Sequence, residues 1–345
     1  MQQLSTPTTP VQNGYHYISA MTAIIFFGGS SSSASAPSSS DEGYSPVVLI
    51  WWAFLSSIAI MNIFLLIVAN RTLNVNNSSP EGSKEKDEGH YSYNDASSSW
   101  LVNIRNKQFN MSALYVGGCA FRSFFICHHT LRRALLYSFA STGFVGRSVA
   151  TVAELGAATQ VSLLLQEVGI STNDDLISTI SKCIVPLLVM AELFSWYACV
   201  TTSYIGSIFE ESLWAFCALL SMVSLFRAYP RYVGKDQRNF LQKTIIVNLL
   251  YFTYMVIIDV PQYIRGHIRN TNTGKEYYNI SDGLNTLLNI SQHKLSWSYE
   301  DWKFAMMWMT LYFSVACWAS IGVVNGPRLD RGMMNMNKKM KMKCN

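Results

Sequence analysis

Charge is scarce in this chain. Only 14% of its 345 residues are Asp, Glu, Lys or Arg, half are apolar, and the apolar residues gather in long blocks, not at amphipathic spacing. That excludes an ordinary water-soluble domain of this length. Lysine is missing from every long apolar block, which excludes an intramembrane Schiff-base lysine of the retinal kind. Histidine is missing from them too, save at one edge, where His128 and His129 adjoin. Adjacent helical positions point about 100° apart, so paired-imidazole haem ligation is excluded. No CxxC, HExxH, GxGxxG, Walker or GxSxG motif occurs, so no catalytic residue, cofactor or metal site is predicted. The seven cysteines are odd in number, and Cys183, Cys199, Cys217 and Cys317 fall inside apolar blocks. They read as small packing residues, not as a disulfide framework.

What is present is length of apolar run. Residues 46–69 and 304–324 carry no charge at all, which makes about 36 Å and about 31 Å of helix at 1.5 Å per residue. Either is enough for a hydrocarbon core. Residues 244–263 are interrupted only by Asp259, and residues 206–226 only by Glu210 and Glu211. Residues 183–203 contain one acid, Glu192, and residues 148–168 carry Glu154, Gln160 and Gln166 among Val, Ala and Leu. The shortest block, residues 112–128, includes Gly117, Gly118 and Arg122. The predicted fold is therefore all-α: a multi-pass transmembrane helix bundle of about seven spans, with six as the alternative if residues 112–128 dip in and return. Residues 70–111, rich in Ser, Asn, Lys, Glu and Asp, are predicted to form a flexible loop, and residues 264–303 an outer loop. Residues 1–45 read as a disordered tail, or as a leader cleaved after Ala34-Ser35-Ala36 behind the short apolar run 18–29. Residues 326–345 form a basic tail.

Loop charge sets the expected orientation. In the seven-span model Lys and Arg number 17 on the side holding the C-terminus and 8 on the other. The C-terminus is thus expected in the cytoplasm and the N-terminus outside or in the lumen of a plasma or internal membrane. The sequons at Asn279 and Asn289 fall in loop 264–303, on the outer side, where glycosylation is expected. Those at Asn76, Asn77 and Asn110 fall on the inner side in this count. The tail lysines Lys338, Lys339, Lys341 and Lys343 read as a topology anchor with affinity for anionic headgroups. Nucleic-acid binding has no other support, and none is predicted.

Ionisable residues inside a membrane are costly and mark function by default. Measured from the nominal span ends, Glu154 lies about 9 Å below the outer boundary, Glu192 about 16 Å, and Glu210 and Asp259 about 6 Å each. Because successive helices run in opposite directions, all four acids share the outer half with Arg122 and Arg147. Helical spacing puts Arg147, Thr151, Glu154, Ala158 and Ser162 on one face, and Glu192, Ser195, Cys199 and Thr202 on another. The expected site is an outward polar cavity lined by Glu154, Glu192 and Asp259, with Arg122 or Arg147 as counter-charge. Paired charges acting as interhelical glue are the plainer alternative. Glu210 is predicted to close a capping box with Ser207, and Asp259, two residues before Pro261, to sit where its helix kinks or ends.

Three function classes fit. A carrier would use the acids as proton or cation sites, its partners being the bilayer and a small-molecule or ion ligand. A seven-span receptor or sensor would bind a ligand in the same cavity, although the DRY-like and NPxxY motifs of rhodopsin-like receptors are absent. A lipid-modifying enzyme would need an interfacial His or metal cluster, for which only His128 and His129 are available. The carrier or binding protein is the preferred expectation.

Overall fold

The computed structural model describes residues 44–78, 93–327 and 329, with side chains at 44–72, 103–327 and 329. The expected leader or tail before residue 44, the middle of the first loop and the basic tail from residue 330 lie outside the described residues.

The chain is a bundle of long helices. Helix α1 (Pro46–Ser78) opens on proline, whose fixed φ suits a first helical position, and α2 (Tyr93–Phe124) returns beside it. Helix α3 (Gly143–Thr172) starts where the Thr142 hydroxyl accepts from the Val145 N–H and stops at Asn173 in the left-handed conformation, φ 49°. Asp174 then caps α4 (Asp175–Thr201), accepting from Leu176 and Ile177, and Ser203 caps α5 (Tyr204–Ala228). The predicted capping box is thus replaced. The cap lies four residues before Ser207, so Ser207 and Glu210 are interior positions of the helix.

Helix α6 (Lys235–Tyr254) runs through a π-helical turn, Met255–Asp259, into α7 (Val260–Asn272). Pro261 offers no N–H to the ladder, and the helix widens by a residue where it would otherwise break. After the short α8 (Ile280–Leu288), the last traverse is α9 (Tyr299–Phe313) followed by α10 (Val315–Val324). The single predicted span is broken at Ser314. The Phe313 carbonyl is taken up by the Asn62 side-chain amide at 2.8 Å.

Six of the described helical segments are long and apolar enough to cross a membrane: Pro46–Thr72, Gly143–Thr172, Asp175–Thr201, Tyr204–Arg231, Lys235–Asn272 and Tyr299–Val324. The number agrees with the six-span alternative, but residues 112–128 do not dip in and return as that alternative supposed. Helix α2 does not reach that apolarity, because Arg105, Lys107, Gln108 and Arg122 dilute it, yet it runs the height of the bundle. At its end Phe124 accepts from Trp52 near the start of α1, while Arg105 meets Glu167 near the end of α3 and the carbonyls closing α10. The prediction for 112–128 and for a flexible 70–111 is corrected accordingly. The helix begins at Tyr93 and ends at Phe124, its polar face buried against α1, α3 and α10.

Burial is inverted relative to a soluble fold. Ile50, Phe54, Phe64, Leu193, Ile257 and Phe304 are exposed, whereas Asn62, Gln108, Arg147, Gln160, Glu167 and Glu192 are buried. This is the arrangement a hydrocarbon solvent selects.

One end of the bundle is covered. Strand β1 (Cys127–His128) pairs antiparallel with β2 (Arg133–Ala134), which pairs parallel with β3 (Lys294–Leu295). The predicted outer loop is therefore built around α8 and β3. Arg132, in the left-handed conformation at φ 50°, donates to the carbonyls of His129, Val200 and Gly283 and so ties this cover to the end of α4.

Candidate functional site

Arg147 sits one turn into α3, and three carboxylates from three helices converge on it. Its guanidinium meets Glu154 of its own helix at 2.6 Å, Glu192 of α4 in a short charge-assisted contact, and Glu210 of α5 at 3.4 Å. Arg122 of α2 lies 3.7 Å from Glu154 and stacks its guanidinium over Tyr312 and Phe313 at 5.3 and 5.5 Å. Tyr312 in turn donates its hydroxyl to Glu154 at 2.8 Å. The Thr151 hydroxyl donates to Glu192 at 2.6 Å and accepts from the Trp196 indole N–H.

Five of these charged groups, Arg122, Arg147, Glu154, Glu192 and Glu210, are buried. Two guanidinium groups face three carboxylates, an excess of one acid. On α4 the residues Glu192, Ser195 and Cys199 are buried while Val189, Met190 and Leu193 face outward, and Thr202 is buried just past the helix end.

Of the predicted site residues, Glu154, Glu192, Arg122 and Arg147 are brought together and Asp259 is not. Asp259 is buried in the π-helical turn, where it accepts from Gln262 at 2.5 Å and from Tyr254 at 3.5 Å, and it joins no ion pair among the described residues. Glu210, assigned by sequence to a cap, takes its place. The signal was present in the matched depth of Glu210 and was outweighed by the Ser-x-x-Glu spacing. The other member of the site that the sequence did not point to is Tyr312, an aromatic in an uncharged span.

Carboxylate oxygens of Glu154, Glu192 and Glu210 lie within 4.8 Å of one another, a spacing that suits a divalent cation. The Arg147 guanidinium occupies that position instead. Three polar atoms at the site make no hydrogen bond among the described residues: Oε1 of Glu192, Nε of Arg147 and Nη1 of Arg122, the last lying 3.7 Å from Glu154.

Nor does the cluster stand open to solvent, as an outward cavity would require. The cover of β1, β2, α8 and β3 closes over the N-terminus of α3, where the Gly143 N–H donates to Nε2 of His293 at 2.9 Å. Nδ1 of His293 faces the Asn289 carbonyl at 3.0 Å, so His293 is the neutral Nδ1–H tautomer. Burial, with the Arg132 charge adding to it, holds His293 below its ordinary value of 6.5. Burial and the charges of Arg122 and Arg147 lower His129 further. A Cβ at Gly143 would meet Cδ1 of Leu287 at 2.5 Å and Nε2 of His293 at 3.1 Å, so glycine lets the cover approach this closely without displacing either side chain.

A second ionic cluster lies at the opposite end of the bundle. Arg105 of α2 pairs with Glu167 of α3 at 3.2 Å and donates to the carbonyls of Val323, Val324, Gly326 and Pro327, while Glu167 accepts from the Leu329 N–H. Sequence reasoning passed over it because Arg105 lay in a stretch read as loop.

Fold and buried charge together define an integral, multi-pass membrane protein with an ionic cluster inside its helix bundle. No known protein family, curated protein or solved structure matches the chain.

Proposed function

We propose that the chain is a membrane carrier whose transported or coupling species is the proton, with Glu192, Glu154 and Glu210 as the proton-binding groups and Arg147 as the counter-charge that holds the closed state. The observation carrying this reading is the convergence of three carboxylates from three helices on one guanidinium. A cluster with one acid in excess changes its net charge when it gains or loses a proton. Arg147 joins the polar faces of α3, α4 and α5 there, so a change in its partners alters how those helices hold together. The acid-rich end is read as the outer one, from the loop charge balance with α2 taken as a seventh traverse.

The cover over α3 supports a closed, occluded form, in which a small solute would reach the cluster only after the cover moves. An immobile ionic lock between helices is the competing reading, favoured by the three carboxylates that Arg147 already holds, and it forecasts no flux.

Purified protein in liposomes loaded with a pH-sensitive dye separates the two. An imposed pH gradient, applied alone and with panels of amino acids, sugars and divalent cations, is expected to give a proton flux that Glu192→Gln abolishes. Equal traces for wild type, Glu192→Gln and empty vesicles under every condition would overturn the carrier.

A further inference from the structure

The face of α2 that meets α3 and α10 carries Arg105, Gln108, Ser112, Tyr115, Cys119 and Arg122, every one buried, with Val116 packed among them. Spacings of three and four residues place these side chains one helical turn apart, about 4.5–6 Å each, over about 26 Å from Arg105 to Arg122. The facing helices answer at the same heights. At one end stand Glu154 and Tyr312. In the middle the Ser320 hydroxyl donates to Oε1 of Gln160 at 2.7 Å and therefore accepts from Ser112 at 2.9 Å, and the Gln160 amide donates to the Ser320 carbonyl. Between these levels the Tyr115 hydroxyl reaches the Tyr312 carbonyl at 3.4 Å beside the thiols of Cys119 and Cys317. Arg105 and Glu167 complete the other end.

Interhelical glue accounts for Ser112, Gln160 and Ser320. It does not account for Gln108, which is fully buried and has no protein partner for either its amide nitrogen or its amide oxygen among the described residues. Packing alone would not retain a desolvated amide with nothing to bond. Buried water is the usual partner of such a group. One water bridging two polar atoms spans about 5.6 Å, which is the step between successive residues of this face.

We infer that the seam between α2, α3 and α10 is a water-bearing proton path, with Gln108 its principal water ligand, linking the Arg147 cluster to Glu167 and the far side of the bundle. A proton taken up at one end is matched by one released at the other, with no redox change. The inference rests on the carrier reading and supplies the route by which the cluster exchanges its proton with the opposite face.

Two measurements on the reconstituted full chain test it. Hydroxyl-radical labelling by X-ray radiolysis is expected to oxidise the buried Tyr115 in wild type, and several-fold less in Gln108→Leu. An unlabelled Tyr115 in wild type would overturn the water path whatever the flux. In the dye-loaded liposomes Gln108→Leu is expected to lower proton flux at least tenfold with an unchanged or higher melting temperature, since the amide it removes leaves no protein partner unpaired. Flux retained in Gln108→Leu but lost in Glu192→Gln overturns the path and leaves the carrier standing. Labelled Tyr115 without any wild-type flux overturns the carrier and the proton role together, and leaves a hydrated seam.

Discussion

Arg147 holds three carboxylates that would otherwise face one another in a buried site. Removing one partner of a buried ionic set costs far more than the set contributes, because the remaining charges stay desolvated. Arg147→Met is therefore expected to lower stability by about 3–5 kcal/mol, read as a fall in melting temperature in detergent. Arg147→Lys should fall between Arg147→Met and wild type, since a point-like ammonium cannot reproduce the planar fork. A wild-type melting temperature for Arg147→Met would show that the acids rearrange or protonate without cost.

At the scale of elements, close approach of α4 and α5 depends on Gly206. A Cβ there would meet the Phe194 carbonyl at 2.5 Å and the Ala198 nitrogen at 2.8 Å, both backbone atoms that cannot step aside. Gly206→Ala should destabilise by about 1–3 kcal/mol. Gly117, exposed on α2 with nothing within 4 Å of its added Cβ, is the matched control. Gly117→Ala should stabilise by about 0.5–1 kcal/mol on helix propensity alone. Equal melting shifts for the two variants would refute the packing argument.

The cover over α3 is an element with its own pH response. His293 and His129 are both held below 6.5, first by burial, so at intermediate pH the unfolded chain binds more protons than the folded one. Their stabilisation is complete above about pH 6.5 and is lost as the pH falls below it. Amide hydrogen exchange at Gly143 should therefore quicken on acidification, beyond the intrinsic pH dependence of exchange. In His293→Ala it should already be fast at neutral pH, with a smaller acid response that reflects His129. Exchange at Gly143 that is indifferent to His293→Ala would refute the latch.

Taken whole, the described residues have an apolar exterior and buried charge. Asn279 and Asn289 are exposed in the cover, on the end opposite the Arg105–Glu167 pair. Glycosidase treatment of protein made in a eukaryotic cell is expected to shift its mobility. The shift should shrink in Asn279→Gln or Asn289→Gln and vanish in the double variant. An unshifted wild-type band would leave the outward placement of the cover without support.

Composition and run length by themselves determined that this chain dissolves in a bilayer, because apolar blocks of such length have no other low-energy solvent. Period and hairpin alternation determined the height and face of Glu154, Glu192, Arg122 and Arg147, since both follow from residue number along a helix. Neither says how helices are arranged around the bundle axis, so only the tertiary structure decided that Glu210 joins Arg147 while Asp259, at a similar height, does not. It also decided that α2 begins at Tyr93, a stretch too polar to read as helix by hydropathy, whose charges are tolerated because Glu167 and the α10 carbonyls answer Arg105. The closing of the cover over α3 was likewise invisible in the sequence, because it depends on Gly143, His293 and Arg132 meeting across segments far apart in the chain, and only packing brings such residues together.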